Sequence, residues 1–253
     1  MKYFIHLAYK GTHYQGWQRQ ANGRGVQAVL EEALGQMFHQ KLSLHGCGRT
    51  DAGVHANQFF CHTNIEGAWN FDPVFRINKM LPIDIKVYEF IPVSDKANAQ
   101  LDVISRQYEY HFHLKDNPFL SELSTLYLID NFSFAAMEKA VNLLPQYRDF
   151  LSFCKKPSLY PHTNCEIFAA DLKMNNKKRV RFSITANRFL KSMVRIIVGR
   201  LLQVASGQLS ISEFQDYLEN PRPISQVNYA YPQGLYLSSV NYAYLSRPSR
   251  GIF

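Results

Sequence analysis

The sequence predicts an α+β protein made of two ferredoxin-like, RRM-like halves, each of order β-α-β-β-α-β. Three observations predict it. Hydrophobic spacing switches between a period of two and a period of 3.6 in that order from Tyr3 to Ile91. The same order of elements recurs from Ser105 onward, without a repeat of the sequence itself. The 253-residue chain is 46% hydrophobic, enough for an ample core.

In the first half, Tyr3–Tyr9 reads as a strand and Gly11–Gln20 as a polar, aromatic loop. Val26, Val29, Leu30, Ala33, Leu34 and Met37 recur at helical spacing, which predicts an amphipathic helix over 25–39. Lys41–His45 is a short strand, a Gly-rich loop follows, and Asn57–Thr63 is the next strand. Asp72-Pro73 starts a second helix that runs to Met80, an N-cap followed by proline at the first helical position. Ile85–Ile91 closes the half as a strand.

In the second half, Ser105–Leu114 is a strand. Phe134, Met137, Val141 and Leu144 mark a helix ending near Pro145. Strands Glu166–Met174 and Arg179–Thr185 join at Asn175-Asn176, a hairpin turn. Leu190–Ala205 is a strongly apolar helix, Ser210–Glu219 a shorter one, and Leu235–Tyr242 the last strand. The division expected is 1–98 and 99–253, with 93–104 as the crossover and no Gly/Ser-rich linker. Two such halves place their sheets side by side with a cleft between them.

Composition narrows the class. No apolar run approaches the roughly 18 residues of a membrane helix, and Met1–Tyr9 is too short for a signal peptide, so a cytoplasmic location is expected. The four cysteines, Cys47, Cys61, Cys154 and Cys165, show no C-x-x-C, which argues against a zinc site or a disulfide framework. The net charge of +8 favours a polyanionic partner, nucleic acid first. Aromatic residues at 14% supply rings on which unpaired bases stack, although most rings belong to the core.

Two constellations carry chemistry. The run Gly48-Arg49-Thr50-Asp51-Ala52-Gly53-Val54-His55-Ala56 places one carboxylate beside an arginine in a loop. An Asp that only organises a turn is the commoner case, yet this setting suits a nucleophile or general base. In the second half, Arg188, Lys191 and Arg195 are spaced to share a helix face. Apolar neighbours around Arg195 predict partial burial and hence an anionic partner, for which Asp51 is the candidate. Gly199, one turn on, leaves room for another segment. Lys177, Lys178, Arg179 and Arg181 cluster at the hairpin tip and Lys155-Lys156 in a loop, both suited to phosphate. Arg106, Tyr108, Tyr110 and Phe112 share one face of a strand. That face is core in the plain reading; in the sharper one Tyr108 reaches a cleft and stacks on a base.

Taken together these residues resemble the tRNA pseudouridine synthase A (TruA) family. The match includes Tyr9, Gly11, Thr12, Tyr14, Gly16, Trp17, Gln18 and Gln20, and the helix residues Val26-Gln27 and Leu30-Glu31. It continues through the G-R-T-D-A-G-V-H-A loop, Arg106-x-Tyr108-x-Tyr110, Asn187–Leu190, Met193–Arg195, Val198-Gly199 and Gly234–Leu237. The chain departs from the family at Lys10, Asn98–Leu101, Lys191-Ser192 and Tyr231.

The resemblance implies an isomerase that detaches uracil from its ribose, turns it and rejoins it through carbon 5, with no cofactor and no metal. It implies Asp51 as nucleophile, Arg49 and Arg195 as its electrostatic partners, and Tyr108 as base-stacker and proton carrier. Thr50, His55, Tyr110, Arg188, Lys191, Leu235, Gln18 and Arg19 are the substrate-binding residues it implies. The substrate implied is the tRNA anticodon arm at positions 38, 39 and 40, bound by a homodimer. The fold implied is one extended antiparallel sheet with helices on one side. The competing readings are a non-catalytic RNA-binding module, which needs the basic surface but not Asp51, and a paralogue with another RNA target. A nucleotide-dependent transferase lacks a P-loop and a G-x-G-x-x-G.

Overall fold

The structure, a computed structural model, describes residues 1–176, 178–224, 227–245 and 247. Its described residues hold nine strands and five α-helices, so the class is α+β as the sequence predicts. The chain forms two compact units: residues 1–104 together with 236–253, and residues 105–235.

The first unit contains β1 (Lys2–Tyr9), α1 (Val26–Phe38), β2 (His45–Gly46), β3 (His55–Asn64), α2 (Pro73–Met80) and β4 (Ile85–Pro92). β1 pairs antiparallel with both β3 and β4. The strand Leu235–Tyr242, which belongs to this unit from Tyr236 on, runs parallel to β3, with Tyr236 opposite His55 and Leu237 opposite Ala56. β3 is buried along its length up to Thr63, and Phe4, Ile5 and Leu7 of β1 are fully buried. Residues with this much apolar surface out of water stabilise the unit by roughly 1.5–3 kcal/mol each. α1 sets Val26, Leu30, Ala33, Leu34 and Met37 against this core, the stripe its spacing predicts. Its first backbone N–H groups are not left open. Val26 and Gln27 donate to the carbonyls of Gly16 and Trp17, tying the N-terminal loop to the helix. Asp72 caps α2 by accepting from the N–H groups of Val74 and Phe75, with Pro73 at the first position.

The expected strand over 41–45 shrinks to His45–Gly46. The reason is local. Leu44 donates its N–H to Glu31 Oε1 at 2.9 Å, and its carbonyl accepts from Gln27 Nε2 at 2.9 Å. Helix side chains thus satisfy the backbone that a strand neighbour would satisfy. β3 in turn starts two residues earlier than expected, at His55.

The second unit contains β5 (Val103–His113, from Ser105 on), β6 (Thr125–Leu126), α3 (Phe134–Val141), β7 (Ile167–Met174), β8 (Arg179–Ala186), α4 (Met193–Ala205) and α5 (Ile211–Glu219). β8 pairs antiparallel with β5 and β7, and β6 lies parallel to β5. β8 alternates strictly, with Val180, Phe182, Ile184 and Ala186 turned inward. The β7–β8 turn forms at Asn175-Asn176 as expected: Lys178 donates to Asn175 O, and Asn175 donates back to Arg179 O. Lys177 of the basic tip lies outside the described residues. α3 ends at Val141 and a 3-10 turn carries Pro145.

α4 begins at Met193 rather than Leu190. Ser192 sits at φ 57°, a left-handed backbone that cannot continue a right-handed helix. Arg188 and Lys191 therefore precede the helix, and the expected shared helix face of Arg188, Lys191 and Arg195 does not form. The stretch before α4 is held by other partners. Lys191 donates its N–H to Tyr160 Oη and accepts from Lys155 N–H. Asn187 exchanges hydrogen bonds with Glu166.

Candidate active site

In the first unit the Asp51 loop is braced from below by the loop that follows β1. Three contacts between main chains set it. Trp17 N–H donates to the Thr50 carbonyl at 3.3 Å, Gly53 N–H donates to the Tyr14 carbonyl at 3.1 Å, and Val54 N–H closes a turn onto the Asp51 carbonyl at 3.1 Å. Gly53 takes φ 77° in that turn, a value suited to glycine at its third position. Two further glycines let the backbones meet. A Cβ on Gly11 would lie 2.0 Å from the Val54 oxygen, and one on Gly16 would lie 2.2 Å from the Thr50 oxygen. Asp51 itself is half-buried and Arg49 is exposed.

Two side chains of the loop, His55 and Thr50, point inward. His55 is 1% exposed; its Nδ1 accepts from Gly11 N–H at 2.9 Å and its ring stacks on Tyr236 at 4.6 Å. Thr50 is buried, with its Oγ1 2.8 Å from Tyr9 Oη. Tyr9, Trp17 and Phe59 form an aromatic slab under the loop, Trp17 lying 4.1 Å from Phe59 and 6.3 Å from Tyr9. Gln18 is exposed, and Arg19 is ion-paired at 2.7 Å to Glu31 of α1. Tyr14 donates to Asp84 Oδ1 at 2.5 Å; burial and this carboxylate push its hydroxyl well above the ordinary tyrosine range.

In the second unit, β5 grades from core to open end. Tyr110 and Phe112 are fully buried, whereas Tyr108 and Arg106 are half-buried. Tyr110 Oη lies 2.9–3.0 Å from Thr125 Oγ1, Tyr127 Oη and the Tyr231 carbonyl. Burial, foremost, raises its pKa well above the usual value. Gly234 fits against Tyr110, where a Cβ would meet the ring at 2.8 Å, and Leu235 is 5% exposed. Tyr108 meets Phe189 edge-to-face at 5.0 Å.

Arg195 is half-buried and oriented by the segment 228–230. Its Nε donates to the Ala230 carbonyl at 2.8 Å, Ala230 N–H donates back to the Arg195 carbonyl, and its guanidinium lies 5.6 Å from the Tyr229 ring centre. Gly199 permits this, because a Cβ there would lie 1.9 Å from the Asn228 oxygen. The room expected at Gly199 is thus filled. Lys155 Nζ approaches the same Tyr229 ring at 5.1 Å, and Arg188 lies 5.4 Å from the Tyr160 ring. Cation–ring contacts of this kind hold long basic side chains in place at about 0.5–2 kcal/mol each. Lys191 is exposed.

Sequence reasoning passed over Tyr9, Trp17, Tyr229 and Tyr127 as supports. Tyr9 and Trp17 stand in the N-terminal signature, but their contact with Thr50 depends on folding. Nothing in the spacing signals Tyr229. Among the described residues no group of three His, Cys, Asp or Glu is placed to hold a metal ion, and no helix is long and apolar enough to cross a membrane.

A family profile described as tRNA pseudouridine synthase matches residues 147–243, the stretch that carries Arg188, Arg195 and Tyr229. Curated relatives match nearly the whole chain. The tRNA pseudouridine synthase A of Porphyromonas gingivalis is 40% identical over 248 residues, 95% of this chain and 97% of that protein. That of Bacteroides fragilis is 38% identical over 244 residues, 95% and 96% of the two chains. That of Nostoc sp. is 33% identical over 242 residues, 93% and 84%. Identity at this level over nearly full length shows that the chain belongs to the tRNA pseudouridine synthase A family.

Proposed function

We propose that this chain is an isomerase that converts uridine to pseudouridine in the anticodon arm of tRNA, at positions 38, 39 and 40, with Asp51 as nucleophile. The C1′–N1 glycosidic bond breaks, the uracil turns, and a C1′–C5 bond forms. The proton of carbon 5 leaves to solvent and N1 gains one, so atoms balance without a cofactor or a metal. The observation that carries the reading is the Asp51 loop: a half-buried carboxylate on a turn closed at Val54 and braced at Thr50 and Gly53. Such a mount fixes a nucleophile with little freedom to lose, which is where orientation contributes to rate.

The remaining roles follow from chemistry. Arg49 and Arg195 are the cations assigned to Asp51, and Arg195 is aimed by Tyr229 and Ala230. Tyr108, half-buried at the open end of β5, is the base-stacker and proton carrier. Arg188, Lys191, Gln18 and Arg19 contact the RNA backbone, consistent with the +8 net charge. His55, Thr50, Tyr110 and Leu235 act as supports rather than contacts, since each is buried and the first three are already bonded to protein. Flipping the target base costs a few kcal/mol, which stacking and phosphate contacts offset. The enzyme works as a homodimer in the cytoplasm.

Carbodiimide mapping of an unmodified tRNA carrying uridine at 38, 39 and 40 tests the site choice. Incubation with the protein is expected to create stops at those positions. Stops confined to another arm would overturn the assignment. A monomer in sedimentation of the protein alone, together with one protein chain per tRNA in the complex, would overturn the dimer.

A further inference from the structure

We propose that the Tyr9–Thr50 hydroxyl pair is a positioning device for Asp51 and that Thr50 does not touch the substrate. The inference deepens the reading above and rests on Asp51 being the nucleophile.

Thr50 precedes Asp51 and is fixed at three points. Its Oγ1 lies 2.8 Å from Tyr9 Oη, its carbonyl accepts from Trp17 N–H, and that carbonyl is crowded by the Gly16 backbone. Its side chain is turned in, 8% exposed, and Tyr9 is 4% exposed. A phenol so enclosed cannot meet an RNA, so its hydroxyl acts only through protein. Tyr9 is itself anchored: it ends β1, lies opposite Ala56 of β3, and packs at 5.6 Å on Phe59 and 6.3 Å on Trp17. The chain of support runs from the core strand β1, through one hydroxyl pair, to the residue before the carboxylate. Loss of the pair frees χ1 of Thr50 and lets the 50–51 peptide rock. A misplacement near 1 Å at a reacting group costs on the order of a hundredfold in rate.

The test is a set of variants measured for kcat, KM and loop protection. Tyr9→Phe removes one oxygen and no volume. It is expected to lower kcat by about ten- to a hundredfold, with KM within about twofold. Thr50→Val, which keeps the shape, is expected to match it, and Thr50→Ser to restore most of kcat. The Tyr9→Phe/Thr50→Val double variant is expected to be no slower than either single one, as for two partners of one interaction. Amide exchange at Gly53 and Val54 is expected to quicken in Tyr9→Phe, a readout independent of catalysis. Raised KM in Thr50→Val, or multiplicative losses in the double variant, would make Thr50 a substrate contact and sink the proposal. Unchanged exchange with unchanged kcat in Tyr9→Phe would sink it too. Failure of the underlying reading looks different: Asp51→Asn would turn over normally, whatever Tyr9→Phe did to exchange.

Discussion

At the scale of single residues, the Asp51 loop is governed by close backbone approach. Gly16 shows this best. It has φ 83° and no space for a Cβ next to the Thr50 carbonyl. Gly16→Ala meets both penalties, a left-handed backbone and a clash with main chain that cannot swing aside. It is expected to cost about 2–4 kcal/mol, read from the denaturant midpoint, and to lower kcat through the displaced loop. The loop was legible in the sequence because glycines and one carboxylate cluster within nine residues. Its brace was not. Whether Tyr9 reaches Thr50, 41 residues away, depends on the register of β1 against β3, and no local pattern encodes that distance. The inward turn of His55 was equally hidden, since a polar residue beside a motif reads as exposed until its partner Gly11 is placed, whereas the burial of Tyr110 agrees with the plain core reading of its strand face.

At the scale of elements, periodicity and capping signals located each helix and all but one of the strands among the described residues, because long apolar stripes outweigh local preference. Errors fell where tertiary bonds overrode the pattern. The apolar run before α4 continues through Phe189 and Leu190, but Ser192 takes a left-handed backbone and Lys191 bonds to Tyr160 instead of to a helical turn. β6 escaped notice because two residues, Thr125 and Leu126, carry no period. The start of α2, by contrast, was written in two adjacent residues. Asp72 accepts from Val74 and Phe75 N–H at 2.9 and 3.0 Å. Asp72→Ala is expected to cost about 1 kcal/mol. The thermal midpoint checks this, and Asp72→Ser restores most of the loss.

At the scale of the whole molecule, one buried histidine on β3 is expected to contribute to acid sensitivity. His62 Nδ1 accepts from Ala99 N–H at 3.1 Å, so the bond requires the neutral ring. Burial, then His45 and Lys2, hold its pKa down to about 4 from 6.5, against a smaller upward pull from Asp102. The unfolded chain therefore binds this proton more readily between pH 6.5 and 4. The stabilisation is fully present above about 6.5 and fades as pH falls toward 4. It is expected to amount to about 3 kcal/mol, and His62→Gln is expected to flatten that acid limb of the stability curve. An acid limb unchanged by the substitution would place the titration elsewhere. The α+β class and the order of elements were legible at this scale. The parallel pairing of the last strand with β3 was not, because only two residue pairs define it.

The proposed function assigns the chemistry to Asp51. Its most direct test is tritium release from tRNA labelled at carbon 5 of uridine, comparing the natural protein with Asp51→Asn at matched tRNA occupancy. Release by the natural protein, with the variant slower by at least about a thousandfold while still binding tRNA, is the result expected for loss of a nucleophile. Release by Asp51→Asn at the natural rate would contradict it.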